Sequence, residues 1–160
     1  MTTLYVDNIA PNLQSRVSVP GHVIQVVQHT FNTPTETNTP DVWHNWGPSG
    51  AITPTSTDSK ILVTYSGGGL AASCNSIGLK LLRDSTTVMA RDRHIYHNDS
   101  AYAGVNWVFS YLDSPSTTSA VTYKVQINMQ EAGSIRIAGS DSEYLINQDA
   151  AVMILMEIAG

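Results

Sequence analysis

The chain has 160 residues, enough for one domain with a sizeable core, and only 13% of them are charged, about half the usual share. The formal net charge of −5 and the eight scattered lysines and arginines argue against nucleic-acid binding, which depends on basic clusters that contact phosphates. Cys74 is the only cysteine, which excludes an intrachain disulfide and a thiolate metal cluster within one chain.

Residues 1–21 predict an extended N-terminal arm, because Pro11, Pro20 and several asparagines interrupt any helical pattern. The arm either frays or attaches the domain to a neighbouring subunit, since such termini stay ordered only when something else holds them. The candidate contact residues of the arm are Leu4, Val6, Ile9 and Arg16. The start of the chain has neither a basic nor an apolar leader, and the longest apolar run, Ala150–Met156, is too short to span a bilayer, so we expect no signal peptide and no membrane insertion.

Residues 22–160 contain a series of short β-branched and aromatic segments separated by turn residues, which predicts eight or nine strands. The expected strands are His22–Thr30, Ala51–Ile52, Lys60–Ser66, Ile77–Arg83, Val88–Ala90, Gly104–Leu112, Val121–Met129, Ile135–Ala138 and Ala151–Ile158. Gly104–Leu112 has the clearest alternation, and Val121–Met129 is expected to be its antiparallel partner. Gly67–Gly69 is expected to form a bulge or a wide turn.

The strand pattern predicts an all-β fold, an antiparallel β-sandwich in which the jelly roll is the favoured topology. The last strand, Ala151–Ile158, has four consecutive apolar residues and is therefore expected to be central and covered on both faces. A trimer axis would supply the second cover, so we expect a homotrimer. The candidate trimer-interface residues are Tyr123, Val125, Met153 and Leu155.

Several segments resemble a family of virion surface proteins of tailed phages that infect aquatic bacteria, a family that includes tail-fibre tips and head-surface proteins. The segments that carry the resemblance are Pro54–Val63, Lys80–Thr86, Tyr111–Gln126 and Met153–Ala159. The opening, Leu4–Ile9 through Pro20–Val27, resembles the segment by which such fibres enter their terminal domain. The resemblance implies a noncatalytic virion protein, made in the host bacterial cytoplasm and located on the virion surface, with a fold similar to tumour-necrosis-factor-like trimers.

The best candidate ligand-binding segment is Trp43-His44-Asn45-Trp46, because two indoles flanking an imidazole and an amide can stack on sugar rings and form hydrogen bonds. The alternative is that one or both tryptophans pack in the sandwich or in a subunit interface. Tyr96 and Tyr102, in a predicted loop at Arg91–Ala103, are secondary candidates.

The sequence offers no catalytic residue and no metal or organic cofactor. On a strand, His94 and His97 would lie on opposite faces; in a loop they could converge, but Arg91 and Arg93 would repel a divalent cation unless those arginines were paired. A Gly-x-Ser-x-Gly nucleophile motif is absent, and most acidic residues fall in predicted turns.

Two functions follow from this pattern. The first is a homotrimeric fibre tip or spike that recognises the host surface, with a host-cell glycan as its candidate ligand and other tail or capsid proteins as partners. The alternative is a head-decoration protein that stabilises the capsid without binding a receptor. Because the 160 residues contain no long fibrous shaft, the head-decoration function is favoured more than the resemblance to fibre tips alone would indicate.

Overall fold

The structure, a computed structural model, describes residues 19–33, 35–72, 76–96, 102–131, 133–137 and 151–160, with backbone alone at 68–72, 92–96, 102–106 and 136–137. These residues form ten β-strands. The strands are β1 (Val23–Phe31), β2 (Thr35–Thr37), β3 (His44–Ile52), β4 (Lys60–Ala72), β5 (Ser76–Arg83), β6 (Thr86–Tyr96), β7 (Tyr102–Asp113), β8 (Val121–Met129), β9 (Ser134–Ile137) and β10 (Ala151–Ile158).

The first sheet, sheet A, is built around the long strand β4. On one edge of β4, residues Lys60–Ser66 pair with β10, which in turn pairs with β1, and residues Gly69–Ala72 pair with β9, which continues to β2. On the other edge, β4 pairs with β7 over its whole length. All of these pairings are antiparallel.

The second sheet, sheet B, has the strand order β3-β8-β5-β6, and its pairings are antiparallel as well. A two-residue turn joins β5 to β6 at Asp84, which has a positive φ of 54°. The backbone NH of Thr122 on β8 donates to the Asp84 carboxylate, and the backbone NH of Asp84 donates to the carbonyl oxygen of Thr122. These two hydrogen bonds fix the turn against the neighbouring strand. Asp tolerates this left-handed conformation better than most residues, which explains why it stands at this position.

The long strands pair in an order that is nested along the sequence, so that the first strand pairs with the last and the pairing continues inward from both ends of the strand series. β1 pairs with β10, β3 with β8, β4 with β7 and β5 with β6. This is the pairing of one long antiparallel hairpin folded over on itself, with its strands distributed alternately between two sheets. The described strands therefore form a jelly roll, which confirms the predicted all-β sandwich.

The core lies between the sheets because residues alternate strictly along the strands. In β8 and β10 every second residue is buried and the residues between them are half-buried. Trp46 of sheet B and Trp107 of sheet A meet edge to face with ring centroids 5.7 Å apart, and Tyr65 stacks on Phe109 at 5.3 Å. These aromatic pairs supply large buried area at the centre of the sandwich.

Several local expectations were wrong. β7 pairs with β4 in sheet A, whereas β8 lies in sheet B, so Gly104–Leu112 and Val121–Met129 face each other across the core and are not neighbours. The glycines Gly67–Gly69 continue strand β4 instead of forming a turn. β6 extends through residues 91–96 of the segment Arg91–Ala103 that was predicted as a loop, and β7 begins at Tyr102, because ladder pairing with β5 and β4 overrides the low hydrophobicity of the segment.

Candidate functional site

The outward face of sheet B is polar and carries one partly exposed tryptophan. Trp43, just before β3, lies over β5, where the ammonium of Lys80 is 3.7 Å from the centroid of its ring. The ring also contacts the backbone at Gly78, where a Cβ atom would come within 3.2 Å of Trp43 Cη2. A cation above the indole and a glycine beside it hold the ring on the sheet surface.

Amides and hydroxyls surround this tryptophan on neighbouring strands. The side-chain Nε2 of Gln126 on β8 donates a 3.0 Å hydrogen bond to the side-chain Oδ1 of Asn45 on β3. Gln126 also lies opposite Lys80 in the register between β8 and β5. Thr122 and Lys124 continue the same outward row along β8. We call Trp43, Asn45, Lys80, Lys124 and Gln126 the polar face. Its aromatic ring and hydrogen-bonding groups are the chemistry that suits a sugar.

The predicted ligand-binding segment is divided by the strand that contains it. Trp43 is half-buried on the outside, whereas Trp46 is 1% exposed and packs on Trp107 in the core. The alternative prediction, that a tryptophan of this segment packs in the sandwich, therefore describes Trp46. His44 is half-buried, and its Nε2 lies 3.4 Å from the carbonyl oxygen of Thr39.

The remaining predicted contact residues are placed only in part. Tyr96 ends β6 and Tyr102 begins β7, so their backbones lie in strands, while their side chains are outside the described part. Leu4, Val6, Ile9 and Arg16 of the arm lie outside the described residues.

The four residues predicted at the trimer interface are buried within the chain itself. Tyr123, Met153 and Leu155 are 0% exposed and Val125 is 1% exposed. They point between the two sheets because they belong to the inward-facing sets of β8 and β10. They are core residues of one subunit and have no surface to offer to a neighbour.

The outward face of sheet A has the opposite character to that of sheet B. Its β1, β10, β4 and β7 strands present mainly aliphatic side chains to the outside, and four of these are among the exposed large hydrophobic residues of the described chain. We call this surface the apolar face. Its members are Val23, Val26, Leu62, Val108, Leu112, Val152, Ile154, Met156 and Ile158.

A buried carboxylate, Glu157, lies at one end of the sandwich on the inward side of β10. It is 0% exposed and accepts hydrogen bonds of 2.7 Å from both the backbone NH and the hydroxyl of Thr55, and one of 2.6 Å from Gln25. Burial alone would raise the pKa of Glu157, but the neighbouring Ser59 hydroxyl and the hydrogen bonds from Thr55 and Gln25 outweigh it and lower the pKa below its ordinary value. The group therefore remains a carboxylate and ties the β3–β4 connection to sheet A.

A second carboxylate, Asp113, is 7% exposed and lies on the same inward row of sheet A. Arg83 and Tyr123, both on sheet B, donate hydrogen bonds of 2.7 and 2.6 Å to its Oδ2 atom. Burial, followed by the hydrogen bond to Asp113, raises the pKa of Tyr123 above its ordinary value. The phenol therefore stays protonated and remains a donor.

These two carboxylates are used in structural bonds. Ile61 pairs with Glu157 on one side and with Asp113 on the other, which places the acids two strands apart, or about 10 Å. Each has donors of its own within the fold, and neither is exposed enough to meet a substrate. Among the described residues, no three histidine, cysteine or acidic side chains group as metal ligands.

Sequence reasoning did not find the apolar face, although its signal was present. The last strand was expected to need a second cover, but the interface was assigned to Met153 and Leu155, whereas strand alternation sends the even-numbered members of the run Val152–Met156 outward. Val108 and Leu112 carry the same signal on β7, because they lie between the buried residues of that strand.

No protein-family model and no curated protein matches the chain. Solved structures that are similar include the infectious bursal disease virus Gx strain (TM-score 0.48, 12% identity, 98% of this chain and 42% of the other). The VP2 subviral particle of that virus matches at TM-score 0.45 and 10% identity, over 96% of this chain and 42% of the other. Dimeric latent PorU from Porphyromonas gingivalis matches at TM-score 0.42 and 7% identity, over 92% and 14%.

The chain thus spans less than half the length of the solved chains that it matches. No helix long and apolar enough to cross a membrane occurs in the described residues.

Proposed function

We propose that this chain is a noncatalytic structural protein of a phage virion, a homotrimeric surface protein at a fibre tip or spike that takes part in host-surface recognition. The observation that carries the proposal is the contrast between the two outward faces of the jelly roll. A subunit of a surface assembly needs one face that packs against other protein and another that meets the medium. The apolar face of sheet A suits the first role, and the polar face of sheet B suits the second.

The resemblance of Pro54–Val63 and Tyr111–Gln126 to tailed-phage virion proteins supports the same proposal. The low charged fraction of 13% supports it further, because a surface of hydroxyls and amides resists nonspecific ionic binding. The buried carboxylates Glu157 and Asp113 serve the fold, which is consistent with a protein that performs no chemistry.

Within this proposal the polar face contacts the ligand, and the ligand class is a host-cell glycan. Trp43 supplies a ring that packs against sugar C–H groups, while Asn45 and Gln126 supply a hydrogen-bonded amide pair beside it.

Quantitative mass spectrometry of purified phage particles tests the proposal. We expect peptides of this chain in the particle at a few copies per tail, and antibody labelling at the tail in electron micrographs. Hundreds of copies distributed over the head would replace the tip or spike with a head-decoration role. Absence of the chain from washed particles would contradict both.

A further inference from the structure

The apolar face of sheet A is organised in rows that run across its strands. Val26 of β1 pairs with Met156 of β10, Met156 with Leu62 of β4, and Leu62 with Leu112 of β7. Four adjacent strands therefore present an uninterrupted aliphatic row. The neighbouring row contains Val23 of β1 paired with Ile158 of β10, so the apolar surface continues toward the end of the sheet where β1 begins and β10 ends.

This face is exposed in the single chain. Val108 is 62% exposed, Val26 57%, Leu112 49% and Val23 47%. Four strands spaced by about 4.8 Å and seven residues of about 3.4 Å give the outward side of these strands an area on the order of 450 Å², which the aliphatic side chains share with the polar residues of the neighbouring rows. Apolar patches on a monomer rarely exceed this size, and larger or comparable ones mark interaction sites. The face is therefore one that a partner would cover.

The charge distribution indicates which partner. Copies of a chain with a net charge of −5 repel each other in general, so self-association requires a surface without acidic groups. Among the described outward residues of β1, β10, β4 and β7, Lys60 is the only charged one, and it lies at the end of the sheet, whereas Glu36 lies apart from them on β2, paired in register with Arg136 of β9. A second copy therefore meets neither acid–acid contact nor a row of like charges at this face.

The polar residues beside the aliphatic rows also suit a second copy. Gln28, Thr30, Thr64 and Ser110 carry hydroxyls or an amide, groups that both donate and accept hydrogen bonds, so identical surfaces can satisfy each other in either orientation. Each partner of a standard interface buries about 800 Å², with an apolar centre and a polar rim. The apolar face supplies about half of that area, and these polar residues begin the rim.

We propose that a second copy of this chain covers the apolar face, with the Val26–Met156–Leu62–Leu112 row at the centre of the contact. The inference rests on the homo-oligomeric part of the proposed function alone, because a face that covers its own copy pairs two subunits about a twofold axis. This dimer contact replaces the inward-facing residues first assigned to the trimer interface. In an oligomer built this way, sheet A is buried on both faces. Sheet B keeps its polar face, with Trp43, directed outward.

Analytical ultracentrifugation of the purified full-length protein tests this contact. We expect the wild type to be oligomeric at micromolar concentration, and Leu112→Glu and Val108→Glu each to weaken association by at least about a hundredfold, since a carboxylate without a partner is strongly disfavoured in an apolar contact. The matched control is Ser49→Glu, which adds the same charge at an exposed position of sheet B and should leave association unchanged. A monomeric wild type, or Glu variants that associate normally, would overturn the proposal.

Cysteine cross-linking keeps the proposal testable if a Glu variant fails to fold. In a Cys74→Ser background, Val26→Cys should form covalent dimers with a bifunctional maleimide spanning about 10 Å, the usual distance between stacked sheets. Ser49→Cys should not. Equal cross-linking at both positions, or none at Val26→Cys in an oligomeric sample, would reject this face as the contact. A monomeric protein in which Val26→Cys does not react with maleimide would also overturn the proposal, because another segment of the same chain would then cover the apolar face.

Failure of this inference differs from failure of the proposed function. A protein found in phage particles but monomeric in solution retains the virion role and loses the self-contact. A protein that associates through the apolar face but is absent from particles retains the contact and loses the virion role.

Discussion

The hydroxyl of Tyr123 lies 2.6 Å from the carboxylate of Asp113, and the hydrogen bond between them crosses from sheet B to sheet A. Arg83 donates to the same oxygen, also from sheet B. The two donors and one acceptor join the sheets at one end of the sandwich. Asp113 lies two strands away from Glu157, with Ile61 of β4 between them, so this end is held by polar bonds as well as by packing.

Removing the Tyr123 hydroxyl tests this link between the sheets. We expect Tyr123→Phe to lower the free energy of unfolding by about 1–2 kcal/mol, because Asp113 loses one donor while remaining buried. Asp113→Ala should cost about 3 kcal/mol or more, since it leaves the Tyr123 hydroxyl without an acceptor and Arg83 without its ion-pair partner. The measurement is urea unfolding, and Tyr111→Phe on β7 is the control for the same chemical change at a half-buried position. Equal effects at the two tyrosines would mean that the bond across the sheets contributes nothing.

Glu157 should make the stability of the protein depend on pH in the acidic range. The pKa of Glu157 in the folded state is lowered below the ordinary value of 4.5, so the folded protein favours the deprotonated side chain more than the unfolded chain does. The resulting stabilisation is complete above the ordinary value and is lost as the pH falls through the lower folded value. Glu157→Gln should be less stable at neutral pH and should lose less stability on acidification.

Thermal unfolding of both proteins between neutral pH and about pH 3 measures this effect. Asp58→Asn, an exposed carboxylate of the β3–β4 connection, is the control. If Glu157→Gln and the wild type lost stability in parallel on acidification, the hydrogen bonds to Gln25 and Thr55 would not be responsible.

The two tryptophans of the Trp-x-x-Trp segment should respond differently to substitution. Trp46→Ala removes a buried ring that packs on Trp107 and should destabilise the protein by about 3–5 kcal/mol. Trp43→Ala removes a half-buried ring and its contact with Lys80, which is worth about 0.5–1 kcal/mol at an exposed site. Chemical denaturation distinguishes the two.

For the same reason, only Trp43→Ala is a clean probe of host recognition. A folded Trp43→Ala protein should bind host cells several-fold less than the wild type, while Thr87→Ala, an exposed position of β6, should bind normally. Undiminished binding of Trp43→Ala would remove the polar face from the recognition role.

The packing between β1 and β3 leaves no room for a side chain at Gly50. A Cβ atom there would overlap the ring of His29, so something must shift if one is added. We expect Gly50→Ala to cost about 1–3 kcal/mol, the usual range for overpacking. The double variant His29→Ala/Gly50→Ala should recover part of this loss in thermal unfolding, because the ring that causes the overlap is gone. Additive losses would show that Gly50 matters for another reason.

The sequence predicted the fold class well because the strands alternate clearly. The alternation of β8 and the apolar character of β10 depend only on which residues face the core, and local pattern is enough to reveal that. Sheet membership is a different matter. β7 and β8 are consecutive, and a hairpin is the simplest connection, but the Pro-Ser-Thr segment after Asp113 carries the chain from one sheet to the other.

The site was predicted only in part for a similar reason. The Trp43–Trp46 segment attracted attention because of its residue types, but a strand sends one tryptophan outward and the other into the core, and only the register decides which. Asp113 and Glu157 are far from their donors in the sequence, so no local motif marks them. Their role depends on the nested pairing, which brings distant strands together.

The nested pairing also determines when this fold can form. Gln25 and Glu157 are 132 residues apart in the sequence, yet their side chains bond each other, and β10 lies between β1 and β4. During synthesis, β1 and β4 emerge from the ribosome long before the strand that separates them. Sheet A therefore cannot close until translation has passed residue 158, and contacts of such high sequence separation make folding slow. Until then the edges of β1 and β4 are unpaired, and the nascent chain depends on avoiding pairing with its neighbours.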